Sequence, residues 1–152
     1  MAKQRTVLVT GGSRGIGASI AKHFAEQGDR IAVHYSSNGD LAKEVMASLP
    51  GSGHMTAQAD LRDADAIKVM VDSVANEFGH IDILINNAGV FFDHPIESST
   101  YEVWQKAWAD TLGVNLTGAA NVTWCALQHM PRHGDSRIVN VGSRGAFRGE
   151  PV

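Results

Sequence analysis

Two stretches of this sequence carry residue types that could do chemistry. The first is residues 137–143, RIVNVGS. Residues 137–141 read as a short buried strand, and Ser143 follows at its C-terminal end. Open α/β sheets keep their ligands there. A serine in that place can orient a carbonyl or an alcohol and donate a hydrogen bond to it. It cannot serve as the acid at neutral pH, so it needs a partner. The second stretch is TGGSRGIG, residues 10–17, with Gly11, Gly15 and Gly17. Glycines without Cβ allow a tight turn and close approach to a pyrophosphate. A following helix adds free N–H groups and the positive end of its dipole. The spacing is not G-x-G-x-x-G, and no Gly-Lys-Ser/Thr follows as in a P-loop. A glycine cluster alone is about as often a plain turn. Its position between a first strand and a first helix favours a nucleotide.

The end of the next strand addresses which nucleotide. There an acidic residue would bind the ribose diol of NAD. This sequence has His34-Tyr35-Ser36-Ser37-Asn38 instead. No carboxylate is present to repel a 2′-phosphate, and small hydroxyls are available. Arg14 in the glycine turn can supply a charge-assisted donor. The expected cofactor is therefore NADP (NADPH) rather than NAD.

The elements that must position these groups follow from periodicity. Residues 5–10 (RTVLVT) read as a strand. Residues 16–27 read as a helix with Ile16, Ile20, Phe24 and Ala25 at helical spacing, closed by Gly28. A strand over 31–35, a helix over 40–49 and a weaker strand over 54–59 come next. A helix over 63–78 carries Ile67, Met70, Val71 and Val74 on one face, and Gly79 closes it. A strand over 81–85 leads into an irregular stretch, 87–100. One long helix is expected from Tyr101 to about Met130, with Val103, Ala107, Trp108, Thr111 and Leu112 near one face. Pro131 ends it. The strand at 137–141 is fifth. Strands alternating with helices must run parallel, and right-handed crossovers give an α/β, doubly wound, Rossmann-like sheet. The whole of 1–152 reads as one domain.

Composition narrows the function classes. The 152 residues are 43% apolar with a net charge of −3, enough for a core and without a basic footprint for nucleic acid. No run of 18 apolar residues exists to span a membrane. The single cysteine, Cys125, fits a reducing, cytoplasmic compartment. His129 and His133 stand four apart, but Pro131 lies between them and no glutamate adjoins His129, so no metal site is expected.

Taken in order, TGGSRGIG, Asp60-Leu61, Asn86-Asn87-Ala88-Gly89, Val114-Asn115-Leu116 and Val141-Gly142-Ser143 resemble the short-chain dehydrogenase/reductase family. Within it the chain is similar to the 3-oxoacyl-carrier-protein reductase type. The resemblance implies hydride transfer between nicotinamide and a carbonyl or alcohol. It assigns Gly11, Gly15 and Gly17, with Ile16 between them, to the pyrophosphate. Ser13 and Arg14, with Tyr35, Ser36 and Ser37, fall to the adenosine ribose and its phosphate. Asp60 would hydrogen-bond the adenine and Leu61 would pack near it. Asn86 would brace the sheet. Asn87, Ala88 and Gly89 would run past the cofactor's ribose. Asn115 would belong to the proton relay, and Ser143 would hold the substrate oxygen.

In the family a tyrosine, with a lysine four residues on, protonates that oxygen. Here the tyrosines are Tyr35, at the adenosine end, and Tyr101, followed four residues later by Gln105. The expectation is a chain cut off just before its general acid, with the family's C-terminal strands and helices missing. Strand five would then be an exposed edge, and Trp104, Trp108, Val122 or Met130 would be partly uncovered. A homo-oligomer is the expected assembly of the full-length form, with a small carbonyl or alcohol as substrate. The alternative is a non-catalytic, dinucleotide-binding fragment or short form.

Overall fold

Thr6–Val9 (β1) is fully buried, and its side chains divide between the two faces of a sheet. The computed structural model describes residues 4–132 and 134–149. In it β1 is flanked by Arg30–Tyr35 (β2) and Ile83–Asn86 (β4). Met55–Gln58 (β3) and Arg137–Asn140 (β5) form the outer strands. The order is β3-β2-β1-β4-β5, and every pair is parallel. This is the expected α/β doubly wound sheet. The chain turns from one side of β1 to the other between β3 and β4. That switch opens a crevice at the C-terminal ends of β1 and β4.

Side-chain alternation feeds two cores. Val7, Val9, Ile31, Val33, Ile83 and Ile85 face Gly15–Glu26 (α1) and Gly39–Ser48 (α2). Leu8, Ala32, Ala57 and Leu84 face the other way, against Ala64–Phe78 (α3) and Ala119–Leu127 (α5). With both faces covered, the central strands need no polar alternation.

Helix ends follow their sequence signals. Asn38, Asp63 and Thr100 cap α2, α3 and Tyr101–Leu112 (α4) through side-chain oxygens. Gly28 and Gly79 have positive φ, at 89° and 84°, and close α1 and α3.

Four expectations need correction. Ile16 does not join the apolar face of α1. Its side chain is 65% exposed, because the helix sits close to the sheet on Gly17, Ala21 and Ala25. The long helix is not uniform. Gly113–Gly118 forms a π turn between α4 and α5. The Thr117 hydroxyl donates to the carbonyls of Leu112 and Gly113, both at 3.1 Å, across the widened turn. The face of α4 that carries these residues is mostly exposed: Val103, Leu112 and, as expected, Trp108 are exposed, Thr111 is half-buried and Ala107 is buried. Packing passes instead to α5 and the residues after it: Val122 in α5 and Met130 beyond its end are buried in the core they share with α3, rather than uncovered. Finally, β5 is largely exposed and not a buried strand. It bonds to β4 on one side, and among the described residues no strand pairs with its other side. No helix among the described residues is long and apolar enough to cross a membrane.

Candidate cofactor-binding site

The glycine turn is built by contacts that leave no room for side chains. Gly11 has φ 62°, and a Cβ there would lie 2.9 Å from Ala88 Cα. A Cβ on Gly17 would lie 2.2 Å from the Gly11 carbonyl oxygen and 2.6 Å from Asn87 Nδ2. The turn and the end of β4 are therefore in direct contact. Asn87 locks them together, its Nδ2 donating to the carbonyls of Thr10 at 2.9 Å and Gly11 at 3.2 Å.

Thr10 completes the joint. Its hydroxyl accepts the N–H groups of Asn87 (2.9 Å) and Ala88 (3.0 Å), and it donates to the Ile85 carbonyl at 3.2 Å. Sequence reading passed over Thr10. It also passed over His34, whose Nδ1 accepts the Gly11 N–H at 3.0 Å while Nε2 lies 3.1 Å from the Ala59 carbonyl. Each role depends on a partner from another strand, so no local signal marks it.

Behind this turn α1 begins differently from the other long capped helices. No side chain caps its N-terminus and its first turn holds no acid. Its free N–H groups and dipole are thus available to an anion.

A cavity of about 480 Å³ lies over the crevice. It gathers every residue assigned to the cofactor: Gly11, Ser13, Arg14, Gly15, Ile16 and Gly17 from the turn; Tyr35, Ser36 and Ser37 from β2; Asp60 and Leu61 after β3; Asn87, Ala88 and Gly89 after β4. His34, Arg62, Asp110 and Val114 line it as well and were not anticipated as site residues. The end of β2 brings no carboxylate to the cavity. Arg14 has no carboxylate partner among the described residues.

Asp60 is less free than expected. Arg62 donates to it through Nε (3.0 and 3.1 Å) and Nη2 (2.6 Å), and through Nη1 to Asp110 at 3.0 Å. These bonds hold the Asp60 carboxyl below the usual carboxylate range. Burial pushes the His34 imidazole down, which keeps it neutral and able to accept from Gly11.

The two residues assigned to chemistry stand outside the cavity lining. Asn115 lies in the π turn and clamps the loop after β4: its Oδ1 accepts the Val90 N–H and its Nδ2 donates to the Val90 carbonyl, both at 2.8 Å. Ser143 follows β5 at the ligand edge, exposed, and its Oγ accepts the Gly145 N–H at 3.1 Å. Asn86 links β4 to its neighbours, donating from Nδ2 to Thr123 Oγ1 and Asn140 Oδ1, both at 2.9 Å. Asn86 Oδ1 is buried without a partner among the described residues. His129 faces a carboxylate, Asp72 Oδ1, at 2.8 Å. His133 lies outside the described residues.

The sheet order, with the glycine turn at its switch point and the first helix behind it, defines a Rossmann-like α/β protein. The comparisons place it more narrowly. The family model for short chain dehydrogenases matches residues 5–152, and the chain belongs to that family. It is 35% identical over 153 residues to a 3-oxoacyl-acyl-carrier-protein reductase of Staphylococcus aureus, covering 99% of this chain and 61% of that protein. It is 38% identical over 144 residues to a D-threitol dehydrogenase of Mycolicibacterium smegmatis, covering 93% and 54%. A crystal structure of a short chain dehydrogenase from Burkholderia cenocepacia in complex with NADP superposes with a TM-score of 0.84 at 36% identity, covering 97% of this chain and 58% of that one. The chain thus spans about three-fifths of the length of such relatives.

Proposed function

We propose that this chain supplies the cofactor-binding part of an NADP-dependent oxidoreductase acting on a carbonyl or alcohol. The observation that carries the choice of NADP is the cavity wall at the end of β2. Ser36 and Ser37 stand where a carboxylate would select NAD, and Arg14, without a carboxylate partner among the described residues, lines the same cavity. The relative in complex with NADP agrees with that choice.

The residues present fit such a group. Gly11 and Gly17 keep backbone where a Cβ would collide, and the uncapped α1 faces the cavity with free N–H donors. Arg14, Ser36 and Ser37 would hold the 2′-phosphate, Leu61 would pack beside the base, and Asn87 to Gly89 would flank the sugar. When bound, the nicotinamide would supply the hydride. Ser143 orients the substrate oxygen by a hydrogen bond, and Asn115 fixes the loop after β4 through Val90.

Neither tyrosine of the sequence can protonate the substrate. Tyr35 belongs to the β2 end of the cavity. Tyr101 is not among the residues that line the cavity; it begins α4, where its hydroxyl accepts from Gln105 Nε2 at 3.1 Å and its ring stacks on Trp104. The 152-residue polypeptide by itself is therefore a dinucleotide binder without turnover.

Calorimetric titration with NADPH and NADH tests the cofactor. Tighter binding of NADPH is expected, and equal affinities would overturn the preference. Carbonyl-dependent NADPH oxidation by a polypeptide of verified mass 16.2 kDa would overturn the account of its tyrosines.

A further inference from the structure

Two arginines line the cavity, and their surroundings give them different work. Arg14 sits in the glycine turn with its charge uncompensated by any carboxylate among the described residues. Arg62 is held between two carboxylates. Its Nε and Nη2 donate to Asp60, and its Nη1 donates to Asp110. Lys106 Nζ holds the other oxygen of Asp110 at 2.6 Å. A guanidinium carries its N–H donors in its own plane, so the bonds to Asp60 and Asp110 engage its edges. They neutralise its charge and fix its orientation. They leave its faces free of hydrogen bonds.

The Arg62 stem is fixed as well. It lies so close to the π turn that a Cβ on Gly113 would come within 3.1 Å of Arg62 Cγ. A fixed, charge-compensated guanidinium is a poor phosphate receptor and a good stacking surface for a planar ring.

Its place in the sheet says which ring. A pyrophosphate over the turn after β1 puts the adjoining ribose at the end of β2. Continuing outward in the order β3-β2-β1, the next group along a dinucleotide reaches the end of β3. That group is the base, and residues 60–62 follow β3 there. We infer that Arg62 is a base-stacking residue, its guanidinium forming a platform for the purine of the dinucleotide, and that Asp110 is the positioning residue that holds the platform from α4. This rests on the dinucleotide reading above, and it divides recognition between Arg62 for the base and Arg14 for the 2′-phosphate.

The test is calorimetric titration of NADPH, NADH and ADP into the wild type and into Arg62→Ala, Arg62→Lys, Asp110→Asn and Asp110→Glu, each checked by thermal scan. Loss of a stacking surface weakens binding about tenfold. Arg62→Ala should show that loss equally for all three ligands, since all carry adenine. Arg62→Lys keeps the charge, and with it the pairing to Asp60, so it should fold like the wild type. It should nevertheless bind as weakly as Arg62→Ala. Asp110→Asn should lose part of the affinity, and Asp110→Glu should regain it. A lysine variant as tight as the wild type would mean that charge suffices, and would overturn the platform. A loss confined to NADPH would make Arg62 a phosphate ligand and overturn it too. If the wild type binds ADP, with the same Arg62 dependence, but neither dinucleotide, the platform stands and the oxidoreductase reading falls. If the wild type binds none of the three, both fall.

Discussion

His34 and Gly11 are joined by a hydrogen bond of 3.0 Å, from the Gly11 N–H to the His34 imidazole, 23 residues along the chain. The other ring nitrogen faces the Ala59 carbonyl at 3.1 Å, so the network places the ring proton on Nε2 and leaves Nδ1 to accept. One buried side chain thus ties the glycine turn to the ends of β2 and β3. A protonated ring has no acceptor to offer Gly11.

This sets a pH dependence. Burial lowers the His34 pKa below its ordinary value of 6.5. The unfolded chain therefore binds the proton more readily. The stability from this group is complete above about pH 6.5 and is lost as pH falls through the folded value. The melting temperature of the wild type should fall from about pH 7 to about pH 5. Part of that fall should vanish in His34→Phe. At neutral pH the same variant should lose about 1–3 kcal/mol, because Gly11 N–H and the Ala59 carbonyl are left unpaired. Identical pH slopes in the two proteins would refute the assignment.

Gly17 makes a steric prediction. Gly17→Ala drives a Cβ into the Gly11 carbonyl and Asn87 Nδ2, at 2.2 and 2.6 Å, so the turn must open. Overpacking of this kind costs about 1–3 kcal/mol. NADPH affinity should fall together with the melting temperature. A Gly17→Ala protein that binds NADPH as tightly as the wild type would show that the turn does not form the cradle.

Much of this architecture is legible in the sequence. The β-branched runs, the helical stripe of Ile67, Met70, Val71 and Val74, and the glycines after α1 and α3 act locally and translate directly into structure. The glycine turn is legible for the same reason. Other features are set by partners far along the chain. Thr10 meets Asn87, His34 meets Ala59, and Arg62 meets Asp110, 48 residues away. Period counting also assumes an α-helix throughout, so it ran one helix from Tyr101 to about Met130 straight across the π turn. The signal it overlooked was the pair of glycines, Gly113 and Gly118, within one helical stretch. Strand burial misled at β5 because residue type reports what a strand prefers, not what covers it.

Gly118 makes that point testable. A Cβ there would lie 2.5 Å from the Leu61 carbonyl oxygen and 2.8 Å from the Gly113 carbonyl oxygen. Gly118 therefore lets the π turn rest on the cavity wall after β3. Gly118→Ala should push the turn away, carrying Val114 and the Asn115–Val90 clamp with it. A destabilisation of about 1–3 kcal/mol is expected by thermal or urea unfolding. Hydrogen exchange should rise at the Val90 amide. Unchanged exchange there would mean that the clamp does not depend on the turn.

The cofactor preference is open to reversal by one charge. In Ser36→Asp a carboxylate enters the wall where β2 ends. It repels a 2′-phosphate and accepts from a ribose diol, so NADPH should weaken while NADH is held or gains. Arg14→Ala attacks the same preference from the other side. It removes a charge-assisted donor, a contact of about 1.5–3 kcal/mol, and should weaken NADPH more than NADH by about ten- to hundredfold. The salt dependence of NADPH binding should shrink in that variant, since an exposed ion pair is screened by salt. If both substitutions lower NADPH and NADH affinity by equal factors, the end of β2 and Arg14 do not read the 2′-phosphate. The selectivity would then have to come from elsewhere in the cavity.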